Sequence, residues 1–326
     1  MRVFVAGASG ALGSRLVPQL IDAGHEVIGT HNSPASAQLL QELGAQPVRL
    51  DLFDARAVRT AVLDTKPDAI VHQATALADI KFGRSLDKTF ATTNRLRTEG
   101  TDALLAASRE AGVRRFVAQS FAPYLYARQG GLLKTEADPV DETPPPNAGQ
   151  SLAAIVYLEK ATTGFGGIAL RYGGFYGAAN DALIEPVRNR QFPIVGDGGG
   201  IMSWLHLDDG AAATVAALER SGPAIYNIVD DEPAPVRDWL PELASALGAR
   251  PPRHVPAWMA RLFAGQAAVV MGTQARGVSN AKAKRELGWA PRYPSWRLGF
   301  PMTYSAIAVA DGHPPDRATG ATRAHR

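Results

Sequence analysis

The chain has no cysteine. That absence excludes disulfides, cysteine-ligated metal and thiol catalysis together, and it fits a reducing compartment. Runs of like charge are also missing. The 34 basic residues face 31 acidic ones, for a net charge of +3, and they are scattered, so no basic footprint for nucleic acid is present. Long apolar runs are absent too. The longest, Trp258 to Met271, is interrupted by Arg261, Gly265 and Gln266. It is too short and too broken to cross a bilayer and is expected to be a core helix. The stretch Met1-Arg2-Val3-Phe4-Val5-Ala6-Gly7 lacks the apolar length of a secretory signal and reads as a buried strand. These absences point to a cytoplasmic protein with neither a membrane nor a nucleic-acid partner.

What is present is an ordinary globular balance, 46% apolar and 20% charged over 326 residues, enough for one large domain and a smaller lobe. The first half alternates strand and helix. Strands are expected at 2–6, 26–29, 46–50, 68–73, 114–119 and 167–171, and helices at 11–23, 35–43 and 97–111. Gly24, Gly44 and Gly112 each follow a helix, where a left-handed residue ends it. Helix, glycine and strand in repeated order predict a doubly wound parallel sheet, an α/β Rossmann fold, over residues 1–173. Residues 174–310 predict a smaller α/β substrate lobe, with part of the chain crossing back to the first domain. The stretch 311–326 is expected to be a disordered tail. Residues 130–150 hold four prolines and three glycines and predict a long functional loop whose Lys134 and Glu136 close over a site.

Gly7-Ala8-Ser9-Gly10-Ala11-Leu12-Gly13 lies directly between the first strand and the first helix. Backbone here can approach a pyrophosphate, and the helix start offers free N–H groups to it. In that context the motif predicts a nicotinamide dinucleotide held by Gly7, Ser9, Gly10, Ala11, Leu12 and Gly13. About twenty residues on, where NAD enzymes place a carboxylate for the ribose, the chain reads Thr30-His31-Asn32-Ser33. No acid repels a 2′-phosphate there, and His31, Asn32 and Ser33 can donate to one, so NADP is favoured over NAD. The competing reading leaves these three as loop-tip residues that touch nothing.

With this loop the chain resembles the extended short-chain dehydrogenase/reductase group, also called the NAD-dependent epimerase/dehydratase family. The resemblance continues through Val48-Arg49-Leu50-Asp51-Leu52, Val71-His72-Gln73-Ala74, Ala169 to Gly177, Trp204 to Asp209 and Leu287-Gly288-Trp289-Ala290-Pro291. It implies that Asp51 and Leu52 meet adenine and that Gln73 and Ala74 pass under the cofactor. It places Gln119, Tyr172, Gly173 and Phe175 beside the nicotinamide. It also implies a small-molecule substrate and a possible homodimer formed through two helices of the Rossmann domain.

The chain departs from that family at the proton machinery. No tyrosine stands four residues before any lysine, so Tyr-x-x-x-Lys is absent. On the helix that should carry it, 151–163, matching Glu159 to the family's glutamate puts Ser151 at the tyrosine position and Ile155 at the lysine position. Matching Lys160 to the family lysine instead puts Val156 at the tyrosine position. Tyr157 and Lys160, three apart, are a substitute pair that can share a helix face. With Ser120 at the end of its strand they form the candidate catalytic set, against the alternative of a surface lysine and a half-buried tyrosine. Phe121 stands at the next family Ser/Thr position. Tyr124, Tyr126 and Tyr176 are alternative acids.

In the lobe, the resemblance implies an arginine shortly before the Trp204 segment in members that hold a nucleotide-sugar diphosphate, and Ile201-Met202-Ser203-Trp204 contains none. Phe121, Tyr124, Phe175, Tyr176, Phe192, Met202, Trp204 and His206 suit a small apolar or aromatic carbonyl or hydroxyl compound, or else fill the lobe's core. Asp208 or Asp209 is the expected cap of a helix starting near 208, and His206 is read as a packed residue. The leading function is an NAD(P)-dependent oxidoreductase or epimerase. A non-catalytic redox sensor and a cofactor-assisted isomerase or dehydratase are the alternatives. No metal site is expected.

Overall fold

The computed structural model describes residues 1–77, 83–123, 125–177 and 182–310, with side chains through residue 305. Seven parallel strands form the centre. Strands β1 (Arg2–Ala6), β2 (Glu26–His31), β3 (Gln46–Arg49), β4 (Ala69–His72) and β5 (Arg115–Phe121) are joined by Ile168–Tyr172 and Ala224–Ile228. Their order across the sheet is β3, β2, β1, β4, β5, 168–172, 224–228. The strands read as apolar runs because both faces are covered. Along β1, Val3 and Val5 enter one core cluster with Leu16, Leu20 and Leu205. Phe4 and Ala6 enter the other, with Val58, Leu104 and Leu158.

Helices α1 (Gly13–Asp22), α2 (Pro34–Glu42) and α3 (Ala55–Thr65) follow the first three strands. The expected helix at 97–111 is longer and composite. Short helices α4 (Leu86–Thr89) and α5 (Ala91–Arg95) lead into a π-helical turn, Leu96–Gly100, and then α6 (Thr101–Ala111). Periodicity alone cannot reveal that turn, whose wider hydrogen-bond ring adds a residue. Helix α7 (Gly149–Phe165) lies across β5 with Leu152, Ile155, Leu158 and Glu159 inward.

Beyond residue 173, the helix Leu207–Glu219 packs on α1, and 224–228 completes the sheet. The lobe has its own core around Trp204, Trp239, Trp296 and Phe300.

Two expectations are corrected. The stretch 130–150 is anchored rather than poised. Leu133–Lys134 pairs with Gly277–Val278, buried Lys134 donates its Nζ to the Gln129 carbonyl at 2.6 Å, and Glu136 accepts the Asn227 N–H at 2.7 Å. The helix Ala257–Thr273 is only half a core helix. Gly265 breaks it with φ +86°, which leaves Trp258 66% and Phe263 72% exposed while Ala267, Val269 and Val270 are buried. Among the described residues, no helix is long and apolar enough to cross a membrane. Both outer strands of the sheet carry interruptions. Pro47 lies within β3, and the Lys282 ammonium donates to the Ile225 carbonyl on the opposite edge.

Candidate active site

The glycine loop separates what the fold needs from what a ligand needs. Gly7 has φ +86°, and a Cβ there would meet the Ala74 backbone at 2.7 Å; one on Gly13 would lie 2.3 Å from the Gly7 carbonyl. Those two glycines are required by the protein's own packing. A Cβ on Gly10 would find only the Gly7 carbonyl, at 3.3 Å, and Gly10 is exposed beside Ala11. The openness at Gly10 therefore fits a pyrophosphate approaching the backbone. Thr30 Oγ accepts the Gly7 N–H at 3.0 Å and holds the loop to β2. No side chain caps α1 and no acid occupies its first turn; the Ser14 and Arg15 N–H groups are taken by the Gly10 and Leu12 carbonyls, so residues 11–13, at the start of the helix, are the part suited to a phosphate. Ser9 is half-buried, and Leu12 is buried in the core beneath.

At the end of β2 the three predicted donors have unequal freedom. Ser33 caps α2, its Oγ accepting the Ser36 N–H. His31 Nδ1 donates to the Ser33 carbonyl at 3.0 Å, and Asn32 is exposed. The residue missed from the sequence is Arg49. It is the register partner of His31 across β2 and β3 and is exposed. Equivalent positions on parallel neighbours face the same side of a sheet, so Arg49 shares a side of the sheet with His31 although no arginine follows the loop in sequence. Asp51 is exposed, with Oδ1 accepting the Phe53 N–H at 2.9 Å, and Leu52 is buried.

Beyond the end of β4, buried Gln73 donates to the Tyr172 phenol at 3.2 Å, and that phenol shares a 2.7 Å bond with Thr214. Tyr172 exposes no surface and supports the floor. Ala74 is half-buried. Gly173 abuts the Ser203 carbonyl, and Phe175 packs 5.2 Å from the Tyr172 ring. Gln119 is buried at the end of β5. His72, fully inside, is pushed down to about 4 by burial while its Nε2–H donates to the Leu96 carbonyl.

The candidate catalytic residues are not brought together. Ser120 is buried, and its Oγ–H donates to Glu159 Oε1 at 2.6 Å. Arg171, the register partner of Ser120, holds both oxygens of Glu159 at 2.7 Å. Its third nitrogen donates to the Tyr126 phenol, which donates to Asn227 Oδ1, each at 2.7 Å. Burial pushes Tyr126 up to about 12, so it is no acid near neutrality. Tyr157 lies on the outer face of α7 and gives its hydroxyl to Asp102 on α6 at 2.8 Å. That bond raises its pKa. Lys160 is exposed on the same outer side. The reason is angular: Tyr157 and Glu159 are two residues apart, on opposite sides of a helix.

The buried stripe is instead Ser151, Ile155 and Glu159, so the Glu159 register is the one that faces the site. Ser151 donates its N–H and its hydroxyl to Asp87 Oδ1 at 2.8 and 3.0 Å, and accepts Asn94 Nδ2 at 3.0 Å. Asp87 and Asn94 carried no sequence signal; α4 and α5 deliver them. Phe121 is half-buried against Ala122, Leu125 and Leu152, and Tyr124 lies outside the described residues.

The aromatic lobe residues pack on one another. Trp204 lies 4.7 Å from Trp239 and 5.2 Å from Phe300, and Tyr176 lies 5.1 Å from Phe300. Phe192 packs against Trp239, and Met202 borders the same cluster. Trp204 and Tyr176 are fully buried and offer a substrate no surface. His206, not an aspartate, caps the helix Leu207–Glu219, its Nδ1 accepting the Asp208 N–H. Asp209 accepts the N–H groups of Arg292 and Tyr293 and ties down the C-terminal segment. Among the described residues no cluster suits a metal ion.

Sheet order, glycine loop and uncapped α1 fit the class of Rossmann-fold dinucleotide-binding proteins. A family model described as the NAD dependent epimerase/dehydratase family matches residues 3–229, and the chain belongs to that family. It is 39% identical over 308 residues to a 3-diazoavenalumate denitrifying reductase from a Streptomyces species, covering 92% of this chain and 99% of that protein. It is 28% identical to the 4-hydroxy-2-methyl-3-oxo-4-farnesyl-3,4-dihydroquinoline-1-oxide ketoreductase of Stigmatella aurantiaca, covering 98% and 100%. Among solved structures, it is similar to a Thermus thermophilus UDP-glucose 4-epimerase in complex with NAD, with a TM-score of 0.70, 25% identity and coverage of 93% and 98%. A Thermotoga maritima UDP-glucose 4-epimerase shares the fold at a TM-score of 0.76 and 20% identity, covering 96% and 99%.

Proposed function

We propose that the chain is an NADPH-dependent reductase whose substrate is an arenediazonium, released as the arene and dinitrogen. The observation that carries this reading is the 2.6 Å hydrogen bond from Ser120 to Glu159. A carboxylate clamped by Arg171 only accepts, so the Ser120 proton is committed and the hydroxyl has lone pairs left to offer. Ser151 and Ile155 stand where the family carries a phenol and an ammonium. Reduction of a ketone produces an alkoxide and calls for a positioned acid, and among the described residues Ser120, Ser151 and Tyr126 have their hydroxyl protons committed to Glu159, Asp87 and Asn227. An arenediazonium needs no acid. A dinucleotide held at the glycine loop would supply a hydride, and with the C–N electron pair leaving on dinitrogen as the C–H bond forms, no proton would be consumed. The diazo substrate named for the 39%-identical reductase supports carrying this chemistry over.

Arg49 beside His31 supports the choice of NADPH, since a guanidinium matches a phosphate in shape and charge. Arg49→Leu is expected to weaken NADPH binding at least tenfold and leave NADH unchanged, measured by nicotinamide fluorescence. The function is tested with 4-carboxybenzenediazonium and NADPH deuterated at C4. Catalysed formation of monodeuterated benzoate, well above the rate without protein, is expected. An uncatalysed rate for the diazonium alongside turnover of aryl ketones would overturn the reading in favour of a carbonyl reductase.

A further inference from the structure

The helix Ala257–Thr273 is built inside out over its first half. Gly265, at φ +86°, bends it at a point where a Cβ would come within 2.8 Å of the Arg84 carbonyl. Beyond the bend, Ala267, Val269 and Val270 are buried, as in any core helix. Before it, over residues 257–264, the small side chains meet the protein and the large ones meet water. Ala260 is buried and Ala257 half-buried against Val195 and Val269. Trp258, Leu262 and Phe263 are 66%, 56% and 72% exposed. Trp258 and Leu262, four apart, share a face, and Phe263 widens it. A helix that served only its own core would turn its large residues inward, and an exposed apolar patch marks a surface that meets something else. The surroundings are cationic. Residues 243–275 contain no aspartate or glutamate. Arg250, Arg253 and Arg261 are exposed there, and none has an ion-pair partner among the described residues. Asp197, next to the Gly196 that abuts Ala257, is a carboxylate the fold brings close, and its Oδ1 accepts the Gly199 N–H.

An occupant of this face has to satisfy both its apolar surface and its positive charge. A second copy docked about a two-fold axis would set three arginines against the same three. A bilayer with anionic headgroups satisfies both: aromatic side chains favour the boundary between headgroups and acyl chains, and arginines are drawn to the negative surface. Crossing a bilayer takes about 20 apolar residues, and no described helix does so; lying flat on one takes only an apolar face. We propose that residues 257–264 dock the protein on an anionic phospholipid surface, with Trp258, Leu262 and Phe263 entering the interface and Arg250, Arg253 and Arg261 meeting the headgroups. This docking is independent of the reaction proposed above.

Trp258 supplies the readout. Of the five tryptophans, Trp204, Trp239, Trp289 and Trp296 are at most 5% exposed. Vesicles of phosphatidylcholine with about one-third phosphatidylserine, their acyl chains brominated, should therefore quench Trp258 alone as the protein binds. Vesicles of phosphatidylcholine only should bind at least tenfold more weakly. Joint replacement Trp258→Ser and Phe263→Ser should weaken co-sedimentation with the anionic vesicles at least tenfold and leave NADPH titration unchanged. Joint replacement of Arg250, Arg253 and Arg261 by Gln should erase the preference for phosphatidylserine. Raising salt to about 0.5 M should erase it in the wild type by screening, a result that needs no variant to fold. No binding to anionic vesicles, equal binding to both kinds, or binding that leaves Trp258 unquenched would overturn the proposal. Dimers that the Trp258→Ser and Phe263→Ser replacements dissolve, without vesicle binding, would assign the face to a second copy. Binding to polyglutamate but not to vesicles would assign it to an acidic protein. Either result also overturns lipid docking.

Discussion

Glu159 and Arg171 expose only 6% and 5% of their side chains and hold one another through paired hydrogen bonds. Removing one member of a buried pair leaves the other charge uncompensated. Glu159→Gln is therefore expected to lower stability by about 3–5 kcal/mol, read as a fall in the urea midpoint. His72 makes a second prediction at this scale. Its folded pKa of about 4 lies below the ordinary 6.5, so the unfolded chain takes up the proton first as pH falls. Stability from this group is complete above about pH 6.5 and is lost as pH drops toward 4, by about 3 kcal/mol in all. His72→Gln, which keeps a donor for the Leu96 carbonyl, should lose that share of the slope. Urea titrations of both proteins across this range check it by difference.

At the scale of elements, the glycine loop contains two kinds of glycine that the sequence motif does not distinguish. Gly13→Ala forces a Cβ to within 2.3 Å of a carbonyl and should cost about 3 kcal/mol or more. Gly10→Ala should cost less than about 1 kcal/mol yet weaken dinucleotide binding at least tenfold, so thermal melts and cofactor titrations should rank the two variants oppositely. The loop and the strand–helix alternation were legible because each is local: a glycine after a helix, an apolar run, a turn that needs no Cβ. The active site was legible only in part. Ser120 and the Glu159 register that faces it are readable from the motif pattern, but Tyr157 and Lys160 belong to the outer face of α7. Which face of a helix meets a sheet is decided by packing, and the stripe Ser151, Ile155, Glu159 looks unremarkable until Arg171 is set opposite it. Arg49 was hidden for a similar reason: it lies eighteen positions from His31 along the chain and is a neighbour only through strand pairing. For the lobe's aromatics the sequence leaves a substrate wall and a core equally open, and Trp204, Trp239, Phe300 and Tyr176 pack on one another.

Across the whole molecule, the sheet ends on two outer strands, and each is spoiled as a template. In β3, Pro47 has no N–H to offer. On the strand Ala224–Ile228, the Asn227 N–H is occupied by Glu136 and the Ile225 carbonyl by Lys282. Removing both side chains, Glu136→Ala with Lys282→Ala, should leave the monomer folded at low concentration but speed the growth of thioflavin-positive aggregates on mild heating; unchanged kinetics would assign the two residues to local stability alone. An open parallel sheet rich in valine and isoleucine is a hazard whenever many copies are made at once. In this chain the anchored loop at 130–150 has a consequence well away from any ligand: its Glu136 occupies a backbone N–H of the outer strand, a group that a second, newly made copy would otherwise be able to pair with.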